Sequence, residues 1–483
     1  MTSLGARSSG CLLNSCHRNL VRPSGLPLSH FSTSCAYLKS QTRLKDLPPD
    51  PKDKWNYNRT SLGAEPLSAQ LTFKQVDANM LEHETVPPTG VKMLARDFIE
   101  DSLYNPHYGY FSKQVNIFDT HSIEFDKLRD STEFQEEVAK RYAAYGADKH
   151  HGPGKQLWHT PTELFKPYYG QALARCLVSE YLLKYFPYED FVIYEIGAGN
   201  GSLAESILDF LKDCHPDVYE RTRYNIIEIS GNLAKLQKKR LGRHHRNVKV
   251  VHQSIFHWKT REPAPCFFLA MEVVDNFAHD VVRYDLRTLK PLQGVVTIDD
   301  HGDFDMIWTP VTDPLIASFL RVRDKLGRSP AIHALLQCSE ILRKIYTSLP
   351  FAPNLSAEEY IPTRLLSLLK SLRTHFPRHR LLLSDFSSLP DTIPGVNAPV
   401  VQTRFRNTTV PCSTLMVRQG YFDIFFPTNF ERLRDIGLPV GERKSSVFTH
   451  AEFMQTYADL SKTTLRNGEN PLVDFYKNVK FLF

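Results

Sequence analysis

The pattern of apolar and polar positions changes regime most sharply in "FVIYEIGAGNGSLAESILDFL", Phe191 to Leu211. Phe191 to Ile196 form a nearly continuous apolar run, as expected of a strand covered on both faces. Leu203, Ile207, Leu208 and Leu211 then recur at helical spacing on one side. "RYNIIEIS" predicts a second strand, followed by a Lys-rich helix from Asn232. "NVKVVHQSIFHW" predicts a third strand and "PCFFLAMEVVDN" a fourth. Strand and helix alternate, so the fold class is α/β with a mostly parallel sheet.

Around this core the pattern weakens. Residues 46–90 are Pro-rich and polar and predict a poorly ordered arm. "KMLARDFIEDSLY" from Lys92 predicts a helix that stops at Asn105-Pro106. Residues 113–156 read as a polar surface insertion, and a helix resumes after Pro167. Residues 312–376 read as a helical insertion, with Leu365, Leu366, Leu369 and Leu372 on one side. "HRLLLSDF" is a further strand, and "STLMVRQGYFDIFFPTNF" predicts late strands or a strand and a loop. The expected division is 1–45 leader, 46–90 arm, 91–175 N-terminal segment, 176–311 donor-binding core, 312–376 helical insertion and 377–483 remainder.

Charge alters the picture at one end. The net charge is +6, yet residues 1–45 hold six basic residues and no acid, so the rest carries 53 charges of each sign. A basic nucleic-acid footprint is not evident. The acid-free leader, rich in Ser, Arg and Leu, predicts a mitochondrial transit peptide and import into the matrix. No later apolar run is long enough to predict a membrane span. Of eight cysteines, three lie in the leader, and no C-x-x-C pair suggests a metal or disulfide framework. The adjacent pairs His150-His151 and His244-His245 read as surface histidines.

The glycine turn narrows the chemistry. Gly201 is followed by Ser-Leu, which excludes a P-loop, and Ser202 stands where a dinucleotide fingerprint needs glycine. Glu195 would repel a pyrophosphate but suits a cation. S-adenosylmethionine carries a sulfonium and an ammonium, and Glu195 could receive the ammonium directly or through water. Gly197, Gly199 and Gly201 would let the backbone approach its methionine part. Glu228, at the end of the second strand, is placed to accept the ribose hydroxyls, and Gln253 and Ser254 to border the adenine. Beyond the fourth strand, Glu272 and Asp275 are candidates for binding an acceptor guanidinium and biasing its charge toward two nitrogens. Each acid has an ordinary alternative: Glu195 and Glu228 as solvated strand ends, Glu272 and Asp275 as helix N-caps.

These stretches together resemble the MidA-like mitochondrial methyltransferases, a family that includes a protein arginine methyltransferase acting as a complex I assembly factor. "FIEDSLYNPHYGYF", "TPTELFKPYYGQALA", "EIGAGNGSL", "IIEIS" and "AMEVVDN" are similar to its motifs in the same order, across most of residues 92–430. Met271 stands where the family has Asn, and "SDFSS" keeps Asp385 of a late D-Y-G. The resemblance implies a Rossmann-like core with an inserted helical region and S-adenosylmethionine as methyl donor. It also implies symmetric dimethylation of arginine on a protein, with a complex I subunit as substrate; a homodimer is left open. The alternative is an assembly factor that keeps the donor pocket but has lost transfer.

Overall fold

The computed structural model describes residues 70–113, 116–117, 122–146, 157–158, 160–330, 332–389, 398–405, 408–437 and 445–483. The leader, residues 46–69 and His150-His151 lie outside the described residues. In chain order, the elements used below begin with β1 (Lys74–Gln75), β2 (Val91–Leu94), α1 (Ala95–Tyr104) and α2 (Tyr168–Lys184). Next come β3 (Phe191–Ile196), α3 (Ser202–Cys214), β4 (Thr222–Glu228), α4 (Gly231–Leu241), β5 (Val248–His252) and β6 (Cys266–Met271). They continue with β7 (Asp280–Tyr284), β8 (Pro291–Ile298), β9 (Phe304–Pro310), α5 (Pro314–Lys325), α6 (Glu340–Ser348) and β10 (Glu359–Ile361). The last are α7 (Thr363–His375), β11 (His379–Phe386), β12 (Val400–Phe405), β13 (Thr408–Cys412), β14 (Asp423–Phe425), α8 (Phe430–Gly437), β15 (Val447–Thr449), α9 (His450–Tyr457) and β16 (Val479–Leu482).

The central sheet runs β15-β16-β11-β6-β3-β4-β5. The five strands from β11 to β5 are parallel, and β16 is antiparallel to both its neighbours. The burial of β3 on both faces explains the apolar run that predicted it. Phe191 and Ile193 enter one core with α2 and α3, whereas Val192, Tyr194 and Ile196 enter another with α7 and α8. The chain leaves β3 toward β4 and β5, then returns to place β6 on the opposite side of β3. The order therefore reverses between β3 and β6, the switch point where open α/β sheets leave a crevice beyond their carboxyl ends.

A second, six-stranded sheet contains the path β1-β2-β8-β7-β10, with β9 paired to β8. It draws strands from residues 74–94 and 280–361. A third sheet, β13-β12-β14, has three strands. α1 is tied to the second sheet by Arg96, whose guanidinium donates to Asp280 at 2.6 Å and to Asp313, the N-cap of α5, at 2.9 Å. Thr363 Oγ1 donates to the same Asp280 at 2.5 Å. One buried ion-paired cluster thus fixes α1, β7, α5 and α7 together.

Several expectations change. Residues 70–90 are not a loose arm: β1 pairs with β2, and Val76 and Leu81 are buried in the core under the second sheet. Their paired strand has only two residues, too short to leave an alternation. The helix expected from Lys92 starts at Ala95, because Val91–Leu94 pair with β8 instead. The polar stretch 113–156 contains a helix, Ser131–Gly146, and Phe125 and Phe134 pack against Phe165. The helical stretch 312–376 includes β10, which pairs with β7. His245 is buried, with Nδ1 2.9 Å from Tyr219 Oη and Nε2 3.2 Å from Asp209, so it is no surface residue.

Candidate functional site

The crevice at the switch point is a cavity of about 1060 Å³. Glu195, Gly197, Gly199, Glu228, Gln253, Ser254, Glu272 and Asp275 all line it. Gly201 does not; it is the left-handed N-cap of α3, φ 82°, and backs onto Gln237 and Leu241. Eight of the nine residues expected at a site thus meet in one place, and the ninth shapes the helix start.

The turn after β3 depends on glycine at Gly197. Its φ is 68°, and an added Cβ would lie 3.0 Å from Val273 Cγ2. A side chain there would be strained and would press on the segment that carries Glu272 and Asp275. The two halves of the site are therefore in contact. Glu195 is buried and accepts from Tyr224 Oη at 2.8 Å; burial pushes its carboxyl up to about 7. Glu228 accepts from the Ser230 amide and from Gln237 Nε2, both at 2.8 Å, and burial raises its pKa. Gln237 Nε2 also donates to Gly199 O at 2.8 Å. One amide thereby ties the strand-end acid to the glycine turn. Ser254 caps the short 3₁₀ helix Ile255–His257, accepting from Phe256 N at 3.3 Å.

The segment after β6 is not a helix, so Glu272 and Asp275 are not N-caps. Glu272 has φ 54°, unusual for a residue with a Cβ. Its amide is held by Ser384 O at 2.8 Å. Asp385 Oδ2 accepts from the amides of Val274 at 2.9 Å and Asp275 at 3.1 Å. The late carboxylate therefore cradles the loop rather than lining the cavity. Burial, with Asp385 nearby, holds the Glu272 and Asp275 carboxyls well above their ordinary range. Burial raises Asp385 to about 7 and Asp423, on β14, to about 8. Glu272 Oε1, Asp275 Oδ1 and Asp423 Oδ2 are buried without a hydrogen-bond partner among the described residues. Orphaned carboxylate oxygens are expensive unless a cation or donor meets them.

Four contributors were not assigned a role from the sequence. Gln237 lies mid-helix and carried no local signal. Asn276 donates to Asp423 Oδ1 at 3.0 Å across 147 positions of chain. Tyr104 Oη donates to Asn276 O at 3.1 Å and brings the end of α1 to the same wall. Glu163, within the quoted "TPTELF", accepts from Ser202 Oγ at 2.6 Å and pairs with Lys166 at 3.0 Å, pinning the start of α3.

A doubly wound sheet, a glycine turn at its switch point and acids on two adjacent strand ends define a Rossmann-like α/β protein with its ligand crevice at the strand ends. The match to known proteins makes this specific. Residues 172–447 match the family described as S-adenosyl-L-methionine-dependent methyltransferase, and the chain belongs to that family. The mitochondrial protein arginine methyltransferase NDUFAF7 homolog of Schizosaccharomyces pombe is 25% identical over 338 residues, covering 64% of this chain and 67% of that protein. The Saccharomyces cerevisiae protein of the same name is 22% identical over 343 residues, covering 65% of this chain and 77% of that protein. A crystal structure of a Burkholderia thailandensis protein bound to S-adenosyl-homocysteine shares the fold: TM-score 0.52, 16% identity, 87% of this chain and 94% of that one.

Proposed function

We propose that this enzyme transfers a methyl group from S-adenosylmethionine to arginine on a protein in the mitochondrial matrix. We extend this to symmetric dimethylation of a complex I subunit in support of complex I assembly. The acid-free leader, together with the names of the two fungal relatives, supports the location and the arginine acceptor. The observation that carries the acceptor chemistry is the pair of buried carboxylate oxygens on Glu272 and Asp275 that line the cavity and have no hydrogen-bond partner among the described residues.

The donor residues fit their ligand. Glu228 accepts from the Ser230 and Ile229 amides and from Gln237 Nε2, and a carboxylate with about four acceptor sites keeps room for a ribose hydroxyl. Glu195, whose carboxyl burial raises to about 7, is drawn further toward its ionised form when an ammonium arrives. Gln253 and Ser254 border the adenine. When bound, S-adenosylmethionine supplies an electrophilic methyl group on a sulfonium.

Glu272 and Asp275 bind two guanidinium nitrogens and draw the positive charge toward them, leaving lone-pair density on the nitrogen that reacts. Their raised pKa values suit the next task, since a carboxylate held in an apolar setting is a better base than one in water. One of them takes the proton that the methylated nitrogen sheds. Asp385 keeps the loop in register. Incubating the protein with S-adenosylmethionine and arginine-containing mitochondrial proteins, then mapping methylarginine by mass spectrometry, tests the reading. Symmetric dimethylarginine on a complex I subunit supports it; donor binding with no methylated arginine leaves a donor-binding assembly factor.

A further inference from the structure

Asn276 lines the cavity next to Asp275, and its side-chain orientation is fixed by chemistry. Its Nδ2 donates to Asp423 Oδ1 at 3.0 Å and to the main-chain oxygen of Ile424 at 3.1 Å. Both partners are acceptors, so the nitrogen must face them. Both amide hydrogens are then used. What remains is the amide oxygen, a neutral acceptor with no donor shown to it among the described residues. The backbone around it is equally constrained. Tyr104 Oη donates to Asn276 O at 3.1 Å, and the Phe426 amide donates to Asp275 O at 2.8 Å. The end of α1 and the segment 423–426 hold this one residue still.

The hydrogen bond from Tyr104 brings an aromatic pair to the same wall. The Tyr104 and Phe111 rings stack with centroids 5.2 Å apart and planes 14° apart, and both residues line the cavity. Both residues are half-buried; Tyr104 spends its hydroxyl on Asn276 O, and Phe111, with no polar group, offers the cavity only its ring.

We infer that Asn276 and Phe111 form the part of the acceptor site that selects a planar guanidinium over an ammonium. The inference rests on the reading of Glu272 and Asp275 as guanidinium ligands. Those two carboxylates alone would attract any cation. An ammonium is a compact, strongly hydrated point charge, and two acids satisfy it about as well as they satisfy arginine. A guanidinium differs in having five donors in one plane and a weakly hydrated face. The added neutral acceptor takes an N–H without bringing a third negative charge into a crowded buried group. The ring takes the flat face.

The test is titration of the full-length protein, saturated with S-adenosyl-homocysteine, with acetyl-Gly-Arg-Gly-amide and with acetyl-Gly-Lys-Gly-amide. Asn276→Leu removes the acceptor oxygen. Phe111→Leu keeps apolar packing but removes the ring, and its half-buried position makes it the variant that retains the fold. Wild type is expected to bind the arginine peptide at least about tenfold tighter. Each variant should lose about tenfold in arginine affinity. S-adenosyl-homocysteine affinity and lysine-peptide affinity should stay within about twofold. A folded Phe111→Leu protein with unchanged arginine affinity would overturn the inference, as would equal losses for both peptides or a wild type without preference. A wild type that binds neither peptide removes the guanidinium reading itself along with this one.

Discussion

Replacing Glu228 by Gln is the sharpest probe of the donor half, because the wild-type contacts leave the substitute no comfortable arrangement. Glu228 offers one oxygen to the Ser230 amide and the other to Gln237 Nε2. Glutamine has one oxygen and one NH2 group. If its oxygen faces Ser230, its NH2 meets the NH2 of Gln237, donor against donor. If Gln237 rotates to relieve this, Gly199 O loses the 2.8 Å hydrogen bond that anchors the glycine turn. If the oxygen faces Gln237 instead, the Ser230 amide is stranded. Every arrangement therefore loses one local hydrogen bond and turns one ribose acceptor into a donor. A hydrogen bond to a charged group is worth about 1.5–3 kcal/mol. At 1.4 kcal/mol per factor of ten, affinity for S-adenosyl-homocysteine should fall about 10- to 100-fold. Calorimetric titration of the folded variant, checked by circular dichroism, provides the measurement. An affinity within twofold of wild type would refute both the ribose assignment and the coupling through Gln237.

Two further outcomes follow from the same geometry. Gly197→Ala must place a Cβ at φ 68° and 3.0 Å from Val273. It should cost about 1–3 kcal/mol of stability, read as a lowered urea midpoint, and weaken donor and acceptor binding together; unchanged binding of both would break the link between the turn and the Glu272 loop. Buried carboxyls should also make the ligand-free protein less stable as pH rises. Glu195 and Asp385 at about 7 and Asp423 at about 8 lie above the unfolded range near 4, so the folded chain holds extra protons that it must give up as pH climbs. His279, lowered to about 3, and His450, lowered to about 4, act oppositely, but only below their unfolded range near 6.5. Stability should therefore fall between pH 6.5 and 8, by up to about 1.4 kcal/mol per pH unit for each retained proton, and Asp423→Asn should flatten the slope in urea titrations. A flat wild-type profile over that window would contradict the burial argument.

The glycine-turn side of the cavity, proposed here for the donor, was legible because its information is local. Glu195, Gly197 and Gly199 lie within five residues on one strand and its turn, and Glu228 ends the next strand in the sheet. Burial on both faces made the central strands β3 and β6 nearly continuous apolar runs. The acceptor half was only partly legible. Glu272 and Asp275 stood out as acids after a strand. What orients them comes from Asp385, Asp423 and Tyr104, which sequence order separates and only the three sheets bring together. β1 and β2 escaped notice because two- and four-residue strands carry too few positions to show alternation. The left-handed Glu272 could not be foreseen, since nothing in its side chain asks for that conformation.

The central claim is that Glu272 belongs to the methyl-transfer chemistry. Glu272→Gln keeps the shape and removes the charge. The decisive measurement pairs its affinity for S-adenosyl-homocysteine with its rate of methyl transfer to an arginine-containing protein, relative to wild type. Donor affinity should stay within about twofold while transfer falls at least about 100-fold, the range general-base catalysis supplies. Undiminished transfer by a variant that binds the donor normally would contradict the account.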